Sequence, residues 1–296
     1  MNRLAGLLAL ACFAGLGAIA IAAPPPAKPT KPAAKAAKPA AKPTKPTAKS
    51  TKPAVKPKPA TKTAKPAKPA AKPTKPAAKP KVTRFVAPAD ATTSPAYRYG
   101  QLSQVDCEAE LTKRTIGFMR EAVRGVLAPV RLTGPLRGVT FRTDLGDQAR
   151  TTTPWEIGDC RLVLALDDLA GILKQHGIVE VRHYSMYRPP PKAWPDGKIG
   201  TRHDGALALD AGRFVAKDGT VLDVDKHFHG AIGARTCGDG AAPYPATAEA
   251  LALRSILCEA VDRRLFNVVL TPNYNPPHKN HFHLEVTEGV KWFLVH

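Results

Sequence analysis

Apolar residues recur every three or four positions across residues 162–176, which is the spacing of one face of an α-helix. Gly177 follows directly and is a typical residue for ending a helix. Weaker patterns of the same kind predict helices over residues 106–124 and 246–265. The apolar stripe of the best-defined helix consists of Leu162, Leu166, Leu169, Ile172 and Leu173. Each of these helices is expected to bury one face in a core.

Short runs rich in β-branched and aromatic residues alternate with the helices and predict strands. Asp218 and Gly219 form a turn pair typical of a β-hairpin between two of these runs. The chain has no rhythm of β-α-β units, which take about 30 residues each, and no glycine fingerprint. The pattern therefore favours an α+β domain built on a central antiparallel sheet. The predicted strands cover residues 139–141, 178–187, 207–214, 220–224, 268–270 and 281–286.

The start of the chain has the pattern of a secretion signal. Arg3 gives a positive start, residues 4–21 are apolar, and Ala20 and Ala22 offer a small-residue cleavage site. A retained membrane anchor is the alternative, but many of the apolar residues are Gly and Ala, which insert weakly. We therefore expect a signal peptide over residues 1–22 and no retained transmembrane helix. The protein is then secreted or periplasmic, in a bacterial cell envelope.

Charge is distributed very unevenly along the 296 residues. The formal net charge is +20, and residues 24–81 alone hold 17 Lys and 16 Pro with no acidic residue. Residues 82–296 carry 26 basic and 24 acidic residues, so they are close to neutral. A basic nucleic-acid-binding groove is therefore excluded as the main feature of the domain.

Residues 23–96 are predicted to form a disordered Lys/Pro/Ala-rich linker, because residues 24–81 contain almost no apolar residue larger than Ala that could build a core. Two roles stay open for it: attraction to anionic envelope polymers, and a solvated spacer that its own charge keeps extended. No aromatic residue interleaves the lysines to stack on a base, so we expect no specific nucleic-acid partner. Residues 97–296 have the composition of one globular domain.

Four cysteines remain once the predicted signal peptide is removed: Cys107, Cys160, Cys237 and Cys258. An even number of cysteines in an exported chain predicts two disulfides, and four cysteines permit three pairings. We predict that Cys107 pairs with Cys160 and Cys237 with Cys258. Each of these pairs lies in one half of the domain and flanks a predicted helix.

Two segments of the domain concentrate residues that bind metals or move protons. In the first, His203 and Asp210 stand seven residues apart among small residues, which suits a loop running into a strand. In the second, His281 and His283 would point to one face of a strand while Phe282 enters the core. Two imidazoles and one carboxylate form a ligand set suited to Zn²⁺ with one position left for water.

Both segments resemble motifs of known enzymes. Residues 201–210 resemble the Ser-x-His-x-x-Gly-x-Ala-x-Asp motif of the zinc D-alanyl-D-alanine peptidases. His281 and His283 resemble the closing His-x-His of a wider group that includes lysostaphin-type enzymes and hedgehog domains. Over residues 107–286 the chain is most similar to the extensin-like C-terminal domain family of bacteria, through residues 159–161, 185–188 and 272–275 besides these two motifs.

The resemblance implies a Hedgehog/DD-peptidase-like fold, with zinc held by His203, Asp210 and His283. His281 is then an acid/base imidazole rather than a ligand. The implied function is that of an exported, zinc-dependent, peptidase-like domain that acts on peptidoglycan peptides or cross-links. The alternative is a non-catalytic cell-wall-binding or scaffolding module that retains a structural metal site.

This sequence departs from the peptidase motif at three positions. Thr201 keeps the hydroxyl group of the motif's Ser, and Ala206 replaces its Gly. Asn280 stands three residues before the last His, where the D-alanyl-D-alanine carboxypeptidases carry a Glu as general base. His281 is therefore the candidate proton carrier, because an imidazole with a pKa near about 6.5 suits transfer in both directions.

Arg188 follows a predicted strand and fits two interpretations, a clamp for a substrate carboxylate or developing oxyanion, and an ion pair on the surface. His227 and His229 repeat the His-Phe-His pattern, but a Gly- and Ala-rich stretch follows them. We therefore predict a loop or groove rim there rather than a metal site. His183 lies within a predicted strand and is assigned to structure.

Overall fold

The computed structural model describes residues 88–296, so the predicted signal peptide and most of the predicted linker lie outside the described residues. Residues 91–96, at the end of the predicted linker, already form helical turns. The helices are α1 (Pro95–Gly100), α2 (Gln104–Lys113), α3 (Asp147–Arg150), α4 (Cys160–Gln175), α5 (Val224–His227) and α6 (Ala248–Asp262). The strands are β1 (Phe118–Arg120), β2 (Pro129–Leu132), β3 (Thr140–Thr143), β4 (Ile157–Asp159), β5 (Ile178–His183), β6 (Ala208–Ala216), β7 (Val221–Asp223), β8 (Val268–Leu270), β9 (Phe282–Glu285) and β10 (Leu294–Val295).

The strands form two sheets. The larger one has the order β10-β8-β9-β6-β5-β3, with β7 paired to β6, and the smaller one has the order β1-β2-β4. The centre of the larger sheet is antiparallel as predicted, from β8 through β9 and β6 to β5. Its two outer pairs are parallel, because long connections return β3 to β5 and β8 to β10 in the same direction. The fold is therefore mixed α and β with a mixed sheet.

Helix α4 is the central helix of the core and confirms the strongest sequence pattern. It begins where the side chain of Asp159 accepts a hydrogen bond from the backbone N–H of Arg161, and it ends before Gly177, which has φ of +72°. It contacts α1, α2, α6 and β5. None of the helices within residues 88–296 combines the length and apolar character needed to cross a membrane.

The predicted helix over residues 106–124 is wrong in its second half. Helix α2 ends at Lys113, and Thr115 then takes the left-handed conformation with φ of +57°. The chain turns there, and Phe118 pairs with Leu132 as the first residue of strand β1. A residue in the left-handed region breaks a helix, and composition alone does not reveal it.

Both predicted disulfides are present. Cys107 on α2 is bonded to Cys160 at the start of α4, and Cys237 is bonded to Cys258 on α6. Each bond ties a helix of the core to a neighbouring segment. Among the three possible pairings, this is the one that the positions of the predicted helices favoured.

Candidate metal centre

The three predicted metal ligands meet on the large sheet. Asp210 on β6 pairs in register with His283 on the antiparallel neighbour β9, and His203 lies in the loop that leads into β6. The Oδ1 atom of Asp210 is 3.1 Å from Nε2 of His203 and 3.0 Å from Nδ1 of His283. One ligand atom from each residue fits within 4.8 Å of the others, and all three residues are buried.

Close backbone packing fixes the loop that carries His203. The N–H group of Gly200 donates to the carbonyl oxygen of Gly125 at 2.7 Å. A Cβ atom at Gly205 would lie 2.3 Å from the carbonyl oxygen of Gly200, far inside van der Waals contact. Only glycine fits at position 205 without moving the loop, so this small residue is a requirement of the site.

Ala206 follows Gly205 in the same loop, three residues after His203. It is fully buried and has φ of +53°, in the left-handed region that favours glycine. Its carbonyl oxygen accepts a hydrogen bond of 2.8 Å from the backbone N–H of Asp159, at the end of β4. This chain therefore keeps the loop conformation of a glycine while carrying an alanine.

The hydrogen bonds of His203 define which of its nitrogens faces the ligand cluster. Nδ1 lies 2.9 Å from the carbonyl oxygen of Met186, which can only accept. Nδ1 therefore carries the hydrogen, and the Nε2 atom directed at Asp210 is the one available to a metal.

His283 is held between two carboxylates. Its Nδ1 faces Asp210, and its Nε2 lies 3.1 Å from Oε2 of Glu285. Burial alone would lower the pKa of His283, but the hydrogen bonds to these two carboxylates raise it above its ordinary value. Burial acts to raise the pKa of the Glu285 carboxyl, but the hydrogen bonds from His283 and Thr287, together with the positive charges of His283 and Arg202, lower it below its ordinary value.

Asp210 stays ionised although it is buried. Burial acts to raise its pKa, but the hydrogen bonds from His203 and His283 outweigh burial and hold that pKa well below the usual range. Nη2 of Arg188 donates to the second carboxylate oxygen of Asp210, and Nε of Arg188 donates to Oγ of Ser185 at 2.9 Å. The carboxylate is thus fixed on both oxygens.

An open cavity of about 480 Å³ gives access to these residues. Its lining is polar and rich in imidazole and guanidinium groups. The lining residues are Arg188, Thr201, Arg202, His203, Asp204, Asp210, Pro277, His278, His281 and His283. Two imidazole nitrogens and one carboxylate oxygen beside a solvent-connected cavity could hold a metal ion, with room left for a further ligand.

The family comparison covers this whole arrangement. The sequence model of the family described as "Extensin-like protein C-terminus" matches residues 106–294. The chain belongs to this family. The matched residues include the three candidate ligands and all four disulfide-bonded cysteines. No curated protein and no solved structure matches the chain.

His281 of the extensin-like domain lies beside the ligand cluster, on the same face as His283. Its Nε2 is 3.4 Å from Oδ1 of Asp210, while its Nδ1 is 2.9 Å from Oδ1 of Asn280. Burial lowers the pKa of His281 to about 4, against an opposing effect of Asp210. The imidazole is therefore neutral at neutral pH, and its pKa lies below the value near 6.5 from which its role as a proton carrier was predicted. Phe282 and Leu284 point into the core, as the strand pattern predicted.

Arg188 forms an ion pair, but its partner is the buried candidate ligand Asp210 rather than a surface group. About half of its side chain (52 %) is exposed at the cavity, so the guanidinium group also faces the space where a substrate would bind. The two interpretations drawn from the sequence are therefore not exclusive in the extensin-like domain.

Sequence reasoning missed His278 and Glu285. The short 3-10 helix Pro276–His278 folds back so that the ring of His278 lies 5.1 Å from that of His281, and burial lowers the pKa of His278. Glu285 was visible two residues after His283, on the same face of a predicted strand. That spacing was the available signal for a carboxylate next to a ligand.

The other singled-out histidines are not part of the ligand cluster. The predicted loop begins only after His227, because His227 is the last residue of helix α5. Its Nδ1 accepts a hydrogen bond of 3.0 Å from the backbone N–H of Asp223. Neither His227 nor His229 belongs to the metal-competent group found within residues 88–296. His183 lies in β5 and is buried, as expected for a structural residue.

Proposed function

We propose that the extensin-like domain is an exported, zinc-dependent, peptidase-like domain that acts on peptidoglycan peptides or cross-links. The observation that carries this proposal is the convergence of His203, Asp210 and His283 at the floor of an open cavity. A ligand set of three protein groups beside a solvent-connected space is typical of catalytic zinc sites, whereas structural zinc sites are usually closed by four protein ligands.

A bound zinc ion would supply Lewis-acid polarisation of a peptide carbonyl group and would lower the pKa of water. His281 moves the proton in this proposal. Its Nδ1–H donates to Asn280, so the unprotonated Nε2 faces the cavity and is able to accept a proton from the attacking water. The same nitrogen would return that proton to the leaving amine.

Arg188 has two parts in the proposal. Through Nη2 it fixes the outer oxygen of Asp210, which keeps the inner oxygen directed at the two histidines. Its exposed guanidinium edge supplies positive charge to a developing oxyanion or a substrate carboxylate. Arg202 adds a second cationic group at the cavity, with about 71 % of its side chain exposed. Peptidoglycan peptides carry free carboxylates that suit such a surface.

Peptidoglycan as partner and the envelope as location rest on the resemblance to the zinc D-alanyl-D-alanine peptidases and on the features of an exported chain. Two disulfides suit an oxidising compartment such as the periplasm or the cell exterior. The Lys-rich tail would place the domain near anionic envelope polymers if it binds them.

The second candidate is a non-catalytic cell-wall-binding or scaffolding module that retains the metal as structure. Asn280 favours it, because this residue stands where the resembling carboxypeptidases carry a general base and its amide is hydrogen-bonded to His281. An amide cannot take up a proton at neutral pH, so any proton transfer at this site would have to be carried out by the histidines.

Digestion of isolated peptidoglycan by the full chain tests the proposal. The peptide products are analysed by mass spectrometry, with and without a chelator, and zinc is measured in the same samples. We expect chelator-sensitive cleavage and about one zinc per chain. Asp210→Ala should lose both zinc and cleavage, since two remaining protein ligands are too few for tight binding.

His227→Ala is the matched control, because this histidine lies outside the metal-competent group, and it should keep both zinc and cleavage. His281→Ala should keep zinc and lose turnover by about 10²- to 10⁴-fold. Binding to peptidoglycan with zinc present but no cleavage would favour the second candidate. Zinc retained by Asp210→Ala and lost by His227→Ala contradicts the ligand assignment.

A further inference from the structure

A second carboxylate, Glu285, lies behind the candidate metal ligand His283. Glu285 is almost completely buried (3 % exposed), although it is a charged residue, and it is the last residue of strand β9. Its Oε2 receives the hydrogen bond of 3.1 Å from Nε2 of His283. Burial removes the hydration of a carboxylate, which costs free energy, so hydrogen bonds within the protein must replace the lost water.

The position of the Glu285 carboxylate is fixed on both sides. Oγ1 of Thr287 donates to Oε1 at 2.8 Å, and the guanidinium group of Arg202 lies 3.5 Å from Oε2. The carboxylate thus has a donor for each oxygen and a cation nearby. It is held in one orientation, with Oε2 directed at the ring of His283.

An ionised carboxylate can only accept hydrogen bonds, so it determines where the hydrogen of the imidazole lies. The hydrogen on Nε2 of His283 points to Glu285, which leaves Nδ1 as the nitrogen that faces Asp210 and the cavity. His203 has the same arrangement with a backbone carbonyl group, that of Met186, behind its other nitrogen. Each histidine therefore has a partner that can only accept a hydrogen bond. The partner of His203 is a neutral carbonyl group, whereas the partner of His283 is a carboxylate with a full negative charge.

We propose that Glu285 is the positioning residue that sets the tautomer, orientation and basicity of His283 as a metal ligand. This inference rests on the proposed metal site. A negative charge behind the ring makes the imidazole a stronger electron donor, and the removal of such partners typically weakens metal affinity by about 10- to 100-fold. Glu285 acts through His283 and does not touch a substrate.

Glu285→Gln is the most informative variant. The amide keeps the size of the side chain, but it lacks the charge and can donate as well as accept. It therefore permits the wrong tautomer, with the hydrogen on Nδ1 of His283. We expect zinc affinity to fall by about 10-fold in Glu285→Gln and by up to about 100-fold in Glu285→Ala. Thr287→Val removes the donor that orients the carboxylate and should give a smaller decrease in affinity.

Zinc affinity is measured on the full chain by competition with a chromogenic chelator. Co²⁺ is bound in place of zinc so that its visible absorption spectrum reports the ligand field. Glu288→Gln is the matched control, because Glu288 is 63 % exposed and pairs with Arg161 away from the cavity. Thermal unfolding of the metal-free variants checks that each one is folded. The expected result is a graded loss of affinity with altered Co²⁺ spectra in the Glu285 variants alone.

Affinities within twofold of wild type and an unchanged Co²⁺ spectrum in folded Glu285→Gln and Thr287→Val would overturn the proposal while leaving the metal site in place. A wild-type chain that binds zinc tightly but cleaves nothing contradicts the proposed peptidase function and leaves the role of Glu285 standing. A wild-type chain that binds neither zinc nor Co²⁺ overturns both.

Discussion

A buried histidine outside the metal centre should make the stability of this domain depend on pH. His183 is 3 % exposed in β5, and neither of its ring nitrogens has a hydrogen-bond partner among the described residues. Burial lowers its pKa from 6.5 to about 4. The nearby charges have smaller effects, those of Glu156, Asp210 and Asp144 raising the pKa and that of Arg150 lowering it.

The size of the effect follows from the two pKa values. In the unfolded chain a histidine has a pKa near about 6.5, so between pH 6.5 and 4 the unfolded state binds the proton and the folded state does not. The free energy of unfolding is therefore unaffected by His183 above about pH 6.5, and it decreases as the pH falls from there towards 4. Each pKa unit is worth about 1.36 kcal/mol, which gives a loss of about 2 to 3 kcal/mol between pH 7.5 and 4.5.

His183→Leu tests this because leucine has a similar volume and cannot take up a proton. Urea unfolding is measured from pH 7.5 to 4.5 with the disulfides intact. The free energy of unfolding of the variant, relative to wild type, should rise by about 2 to 3 kcal/mol over this range. Any change in packing caused by leucine shifts the free energy of unfolding by the same amount at every pH, so it does not affect the comparison. The pKa of His281 is also lowered to about 4, but His281 is present in both proteins and its contribution cancels.

His296→Leu, at an exposed histidine, is the control and should run parallel to wild type. If the curves of His183→Leu and wild type are also parallel across the whole range, burial does not depress the pKa of His183 and the reasoning is refuted.

Two further predictions concern the loop of His203. Gly205→Ala should destabilise the domain by about 1 to 3 kcal/mol and reduce zinc uptake, since the new Cβ meets the carbonyl oxygen of Gly200 at 2.3 Å; unchanged urea unfolding and metal content would contradict this. Ala206→Gly should raise stability by up to about 1 kcal/mol, because an alanine at φ of +53° costs about 1 to 2 kcal/mol and the greater freedom of unfolded glycine offsets part of the gain. A lower midpoint in urea for Ala206→Gly would show that the loop is not strained.

The sequence predicted those parts of the molecule where a local pattern coincides with a tertiary requirement. Helix α4 and strand β8 were predicted because burial dictates their apolar spacing, and the disulfides because the cysteines flank helices. The smaller sheet was missed. Its strands have only three or four residues, too few for an alternating pattern to be recognised. The turn that ends helix α2 depends on the left-handed conformation of Thr115, which the residue type does not indicate.

In the candidate site, too, some residues were predicted from local sequence patterns and others were not. His203, Asp210 and His283 were predicted from motif spacing, and the strand period correctly placed His281 on the face of His283. The partner of Arg188 could not be predicted, because it depends on how the loop after β5 approaches β6. The proximity of His278 to the cluster could not be predicted either, because it results from a short helical turn between β8 and β9.

The pairing of β6 with β9 brings two of the candidate ligands together, so metal binding would depend on correct folding of the sheet. Asp210 and His283 are 73 residues apart in the chain and meet only in one strand register. A slip of one residue would turn His283 to the opposite face and bring Phe282 to the cavity. If the three residues hold zinc, then the zinc content of a preparation counts the molecules whose central strands are correctly aligned, and it distinguishes them from compact misfolded chains that spectroscopy of secondary structure would not separate.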